Sequence, residues 1–225
     1  MVLRTVGEVL PAALAIALSP FPVIAIVLLL GSAHGRRNGV AFAFGWVVAL
    51  SALMAAVVLL MNGTDEADGT SAALFDWGRV VVGLLLIGLA VKKWRGRPRS
   101  SDEVVLPGWI AAIDAATPAR SLVIGLALAG INPKHLAIAA SAAASITDIS
   151  TTRDDAVIAI VVFVVLASSS VLGAVLFRTV GGQRAAAPLE SVKQFMLANN
   201  AVIMMVVLLV LGAKILGDGL GAIST

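Results

Sequence analysis

ALSPFPVIAIVLL at 17–29 and GINPKHLAIAAS at 130–141 decide the fold. Each sets a polar, proline-containing break inside an apolar run of membrane-spanning length. Each break lies about 11 residues from the ends of its run, or about 16 Å at 1.5 Å per helical residue. That is half of a hydrocarbon core about 30 Å thick. Proline removes a backbone donor and clashes with the preceding turn, so a helix broken at that depth leaves polar groups in need of partners. Such groups persist in a bilayer only when buried in protein or facing a wet cavity. Paired breaks in corresponding segments of two halves mark a transporter's binding site.

Working outward, 60% of the 225 residues are hydrophobic, 13% are charged, and mean hydropathy is +1.02. A soluble domain carries about a quarter charged residues, so the composition belongs to a polytopic membrane protein. Apolar runs at 7–31, 39–61, 78–94, 121–145, 156–177 and 199–217 each approach spanning length. The first is too long for a signal-peptide core and is expected to be retained as the first span. Short loops leave no room for a soluble catalytic domain. The absence of cysteine excludes disulfides, thiolate metal sites and thiol redox chemistry.

The net charge of +3 follows from membrane orientation and does not call for a nucleic-acid partner. Three connections, at 32–38, 92–120 and 178–198, hold 11 of the 16 basic residues, among them Arg36, Arg37, Lys92, Lys93, Arg95, Arg97, Arg178 and Lys193. The other connections collect Asp65, Glu66, Asp68, Asp76, Asp148, Asp154 and Asp155. Basic loops stay in the cytoplasm, which places both termini outside a plasma (inner) membrane. The first and fourth spans then run in opposite senses. The expected fold is all-α: six transmembrane helices forming two inverted three-helix repeats, with proline breaks in helices 1 and 4. Residues 1–95 form the first repeat, 96–120 a cytoplasmic linker, 121–217 the second repeat, and 218–225 a short tail. Within the linker, 104–120 reads as a helix at the inner interface with Trp109 at headgroup depth. Trp77 and Trp94 flank the third span as interface anchors.

The candidate substrate-binding residues are Ser19, Pro20, Pro22, Asn132, Pro133, Lys134 and His135. Lys134 is the one basic residue expected deep in a span, and no Asp or Glu is expected at its depth. Either desolvation strips its proton, or it meets an anion that the protein does not supply. Snorkelling, or bonding to freed carbonyls, is the competing reading. Ser19 and Asn132 can each cap the half-helix that follows, at an N-terminus that favours negative charge. His135 could donate a hydrogen bond or relay protons. With His34 in a loop as the only other histidine, neither a metal site nor a cofactor is expected. Ser168-Ser169-Ser170, the Ala/Ser run at 137–145, Gly83 and Gly88 read as packing features. No catalytic set emerges, so an enzyme is not expected.

The stretches ALSPFPVIAIVLLLGSAHGRRNGVAFAFGW (17–46) and PGWIAAIDAATPARSLVIGLALAGINPKHLAIAASA (107–142), with the six-span layout, resemble one family. It is the GAP, or sulfolipid-addressing (Sap-like), family of the lysine-exporter (LysE) translocator superfamily. The resemblance implies inverted three-span repeats and outward movement of glycolipids or peptidoglycolipids of actinobacterial envelopes. Asn132, Pro133 and Lys134 match the family's Asn-Pro-Lys-Asn motif, and His135 departs from it. The expected function is export of a lipid or glycolipid by alternating access at a midplane site. A small-solute exporter and a non-transporting scaffold for envelope-lipid synthesis are the alternatives. Membrane lipids and a second copy of the chain are the expected partners.

Overall fold

A computed structural model describes residues 2–62, 69–97, 113, 116–149 and 153–224, all of them helical or in short connections. The order is α1 (Val2–Ala17), α2 (Pro20–Gly31), α3 (Gly35–Asn62), α4 (Gly69–Arg95), α5 (Pro118–Gly130), α6 (Pro133–Ile149), α7 (Arg153–Ala167), α8 (Ser169–Gly181), a 3-10 turn (Gly182–Ala185), α9 (Ala186–Ala198) and α10 (Asn200–Ile223). Over Gly35–Leu59 and Asn200–Ile223, α3 and α10 are each long and apolar enough to cross a bilayer. Three bent pairs pass the same test when each is counted together: α1–α2 at 55°, α5–α6 at 59° and α7 with α8–α9 at 57°. The described residues thus hold two candidate spans, or up to five if each bent pair is one span. The helices are those of a membrane protein. The proposed interfacial helix at 104–120 lies outside the described residues up to 112, as do Trp109 and the acidic run 65–68; Ile113 and Ala116 are buried.

Two helix pairs come together at glycine. A Cβ added at Gly45 of α3 would strike the carbonyl of Leu122, and one at Gly125 of α5 the carbonyl of Phe42. Along α4–α10, a Cβ on Gly83 would lie 2.9 Å from the Gly212 carbonyl, and one on Gly219 2.9 Å from the Val80 nitrogen. Close backbone approach is how helices associate in lipid, where the hydrophobic effect does not drive them together. Gly83 therefore packs as expected, but Gly88 faces open space. The remaining packing follows the bends: α1 lies on α6 and α7, α2 on α3, α8 and α9, and α3 also crosses α6, α7 and α8. Val81, Val82, Leu84, Leu85 and Leu89 leave α4 with an exposed apolar face.

Two connections are shorter than expected. Of the loop 32–38, the last four residues are the first turn of α3, which starts at Gly35 against the Leu30 carbonyl. The loop 178–198 is mostly the end of α8 and the whole of α9. Gly182, at φ 53°, provides the left-handed backbone that ends α8. Pro188 sits in the third position of α9, where its missing N–H removes no intrahelical bond.

Candidate functional site

The first break is made by Ser19, in extended backbone at φ −66° and ψ 119°. Pro20 has no N–H to give the Ile16 carbonyl, which instead accepts from the Ser19 N–H at 3.0 Å. The Ser19 side chain forms no cap bond. With Pro20 and Pro22 in the first and third positions of α2, Phe21 is left to supply the unpaired N–H there. The anion-binding N-terminus expected at α2 is thus short of donors, because proline sits where the donors would be.

The second break is closed differently. Asn132 Oδ1 accepts the Lys134 N–H at 3.0 Å, and the Asn132 carbonyl accepts the Leu136 N–H at 3.1 Å. The cap expected of Asn132 is present. His135 is fully buried, its Nδ1 lying 3.3 Å from the Ala129 carbonyl. Trp46 of α3 meets the His135 ring edge-on at 5.4 Å, with Phe42 stacked behind it at 6.2 Å.

Lys134 joins the two breaks across 115 residues of sequence. Its Nζ donates to Ser19 Oγ at 3.4 Å and lies 3.6 Å from Met204 Sδ on α10. Both contacts are long, and three ammonium donors face two weak acceptors. Among the described residues no carboxylate pairs with Lys134, and none form a cluster able to hold a metal ion. So Ser19, Asn132, Lys134 and His135 come together around the two breaks, with the backbones of Pro20, Pro22 and Pro133 making the bends.

Two further buried polar groups lie outside the residues expected at the site. Ser168 marks a third bend without proline; it is fully buried, and its hydroxyl has no partner among the described residues. The two bent pairs pack along each other, α1 on α7 and α2 on α8. Asn200 stands one helical turn before Met204 on the same face of α10, with a buried Oδ1 that is also unpartnered among the described residues. The signal for Ser168 was the triple serine in an apolar run; for Asn200 it was the pair Asn199-Asn200 at the head of the last span.

A second lysine cluster lies at the end of the bundle that carries the N-terminus. Lys214 Nζ reaches Asp218 Oδ2 at 2.8 Å, Ser145 Oγ at 3.2 Å and Glu8 Oε2 at 3.4 Å, tying α10 to α6 and α1. Near the Arg36–Arg37 turn, buried Asn38 donates to Ser32 Oγ and to the Ala116 carbonyl, both at 2.9 Å.

No curated protein and no solved structure matches the chain. A family model described as Sap, sulfolipid-1-addressing protein, matches residues 9–221. With nearly its whole length matched, broken helices and Lys134 included, the chain belongs to the sulfolipid-1-addressing protein (Sap) family.

Proposed function

We propose that this protein exports a lipid with an anionic headgroup, exposing the Lys134 site alternately to the two faces of the plasma membrane. One observation carries the reading: a lysine of the broken fourth span has Ser19 Oγ and Met204 Sδ as its contacts and no carboxylate among the described residues. An intramembrane ammonium without an internal counter-ion is a natural partner for an anion brought by a substrate. The family description names a sulfolipid, and a lipid sulfate is such an anion. A zwitterionic amino acid would need a second, acidic partner, which disfavours the small-solute reading.

The inverted repeat within a LysE-type scaffold draws support from the packing pattern. Exchanging spans 1, 2, 3 with 4, 5, 6 turns the α3–α5 pair into α7–α1, and α3–α6 into α8–α2; all four contacts are present. Under the same exchange the α4–α10 pair maps onto itself. The six spans, both termini outside, a transporter rather than an enzyme and a homodimer are part of this reading. The test is reconstitution of the Lys134→Met variant in vesicles containing a labelled anionic lipid, with a zwitterionic lipid as control. Selective loss of anionic-lipid movement supports the proposal; undiminished movement ends it.

A further inference from the structure

Pro133 has no N–H, so the carbonyl four residues earlier, Ala129, loses the bond that an unbroken helix would give it. Ala129 is fully buried, and a buried carbonyl without a donor is costly in a membrane interior. Helical side chains lean back toward the N-terminus, so a residue in the first turn of α6 overhangs the break. His135 occupies that position, with Nδ1 3.3 Å from the Ala129 oxygen. We propose that His135 is a positioning residue whose Nδ1–H replaces the backbone donor deleted by Pro133 and thereby sets the direction in which Lys134 leaves α6.

The geometry fixes the tautomer. A carbonyl oxygen accepts and does not donate, so Nδ1 carries the proton and Nε2 is left as a bare acceptor. Nε2 is buried and has no partner among the described residues, so nothing there competes for the opposite tautomer. Two clamps then flank the lysine: Asn132 Oδ1 on its own N–H, and the Ala129 carbonyl on the neighbouring imidazole. At the first break no side chain is needed, because the Ser19 N–H serves the Ile16 carbonyl.

The proposal rests on the export reading for its transport arm alone; its spectroscopic arm stands without it. In a His34→Gln background, His135 is the single histidine. Its nitrogen-15 spectrum in bilayers, recorded at about pH 8, above the ordinary histidine range near 6.5, should show a protonated Nδ1 and an unprotonated Nε2. The reverse assignment overturns the proposal. For transport in vesicles, His135→Asn keeps a donor near Nδ1 and should lose clearly less than His135→Leu. His135→Leu, leaving the carbonyl unpaired, should lose about 5- to 150-fold. Equal losses in the Asn and Leu variants would overturn the positioning role. Thermal unfolding of full-length protein gives a third reading: in a Pro133→Ala background, where the backbone N–H is restored, His135→Leu should lower the melting temperature far less than in the parent. An undiminished drop counts against the proposal.

Discussion

Lys214 and Lys134 are both drawn inside the helical bundle, but the fold treats them differently. Lys214 is surrounded by Asp218, Glu8 and Ser145, all within 3.4 Å, and its side chain is 16% exposed. Among the described residues, Lys134 has a hydroxyl and a thioether as its side-chain contacts, at 3.4 and 3.6 Å. The first arrangement is complete by itself and joins three helices. The second leaves the ammonium short of acceptors at the point where two broken helices meet. Lys214 has its acceptors built in, whereas the described partners of Lys134 leave it underpaired.

The largest expected effect removes the difference by removing the charge. Lys134→Met should fold and insert normally, since an intramembrane charge without a partner adds little to stability. Anionic-lipid transport should fall about 10- to 150-fold, the worth of a charged hydrogen bond in a dry site. Lys134→Arg should restore only part of it, because the planar head needs other geometry. Loss of folding along with transport would make Lys134 a structural residue.

Next comes the opposite manipulation, giving Lys134 what Lys214 has. Met204→Glu puts a carboxylate where the thioether stands, and substrate must then compete with an internal ion pair. Transport should fall about tenfold, equivalent to about 1.4 kcal/mol, while the melting temperature holds or rises. Unchanged transport would mean that substrate never reaches the ammonium.

The two breaks separate at smaller effect. Asn132→Ala should cost about 0.5–2 kcal/mol of stability, because its side chain caps α6. Ser19→Ala should cost much less, since Ser19 makes no cap bond, and should instead weaken transport a few-fold through Lys134. Equal stability losses in thermal unfolding would break the distinction. Smallest is Lys214→Met: with Glu8 and Asp218 side chains 40% and 44% exposed, solvent screens both pairs. About 0.2–1 kcal/mol per pair should be lost, and transport should change less than in any Lys134 variant.

Proline made the first two bends legible, since a missing N–H in an apolar run can be read without coordinates. The Ser168 bend was not legible, because serine is tolerated inside helices and the run around it has spanning length. Nor was the Lys214 cluster legible, because Glu8 lies too far away in sequence for pairing to be inferred. Gly83 and Gly88 looked equivalent as residues, and only the facing helix distinguishes them. The loss of donors at α2 was legible after all: prolines in its first and third positions remove two N–H groups from a supposed anion site.

At Gly83, Gly212 and Gly219, α4 and α10 meet backbone against backbone. Side chains can yield by changing rotamer, but main chain pressed on main chain has no such soft layer, so the two helices turn together as a single beam. Met204, touching the Lys134 ammonium, is mounted on that beam. From 204 to 214 is a lever arm of about 15 Å at 1.5 Å per residue. Any displacement of Met204 would therefore be carried along that beam toward the Lys214 cluster and the exposed apolar face of α4.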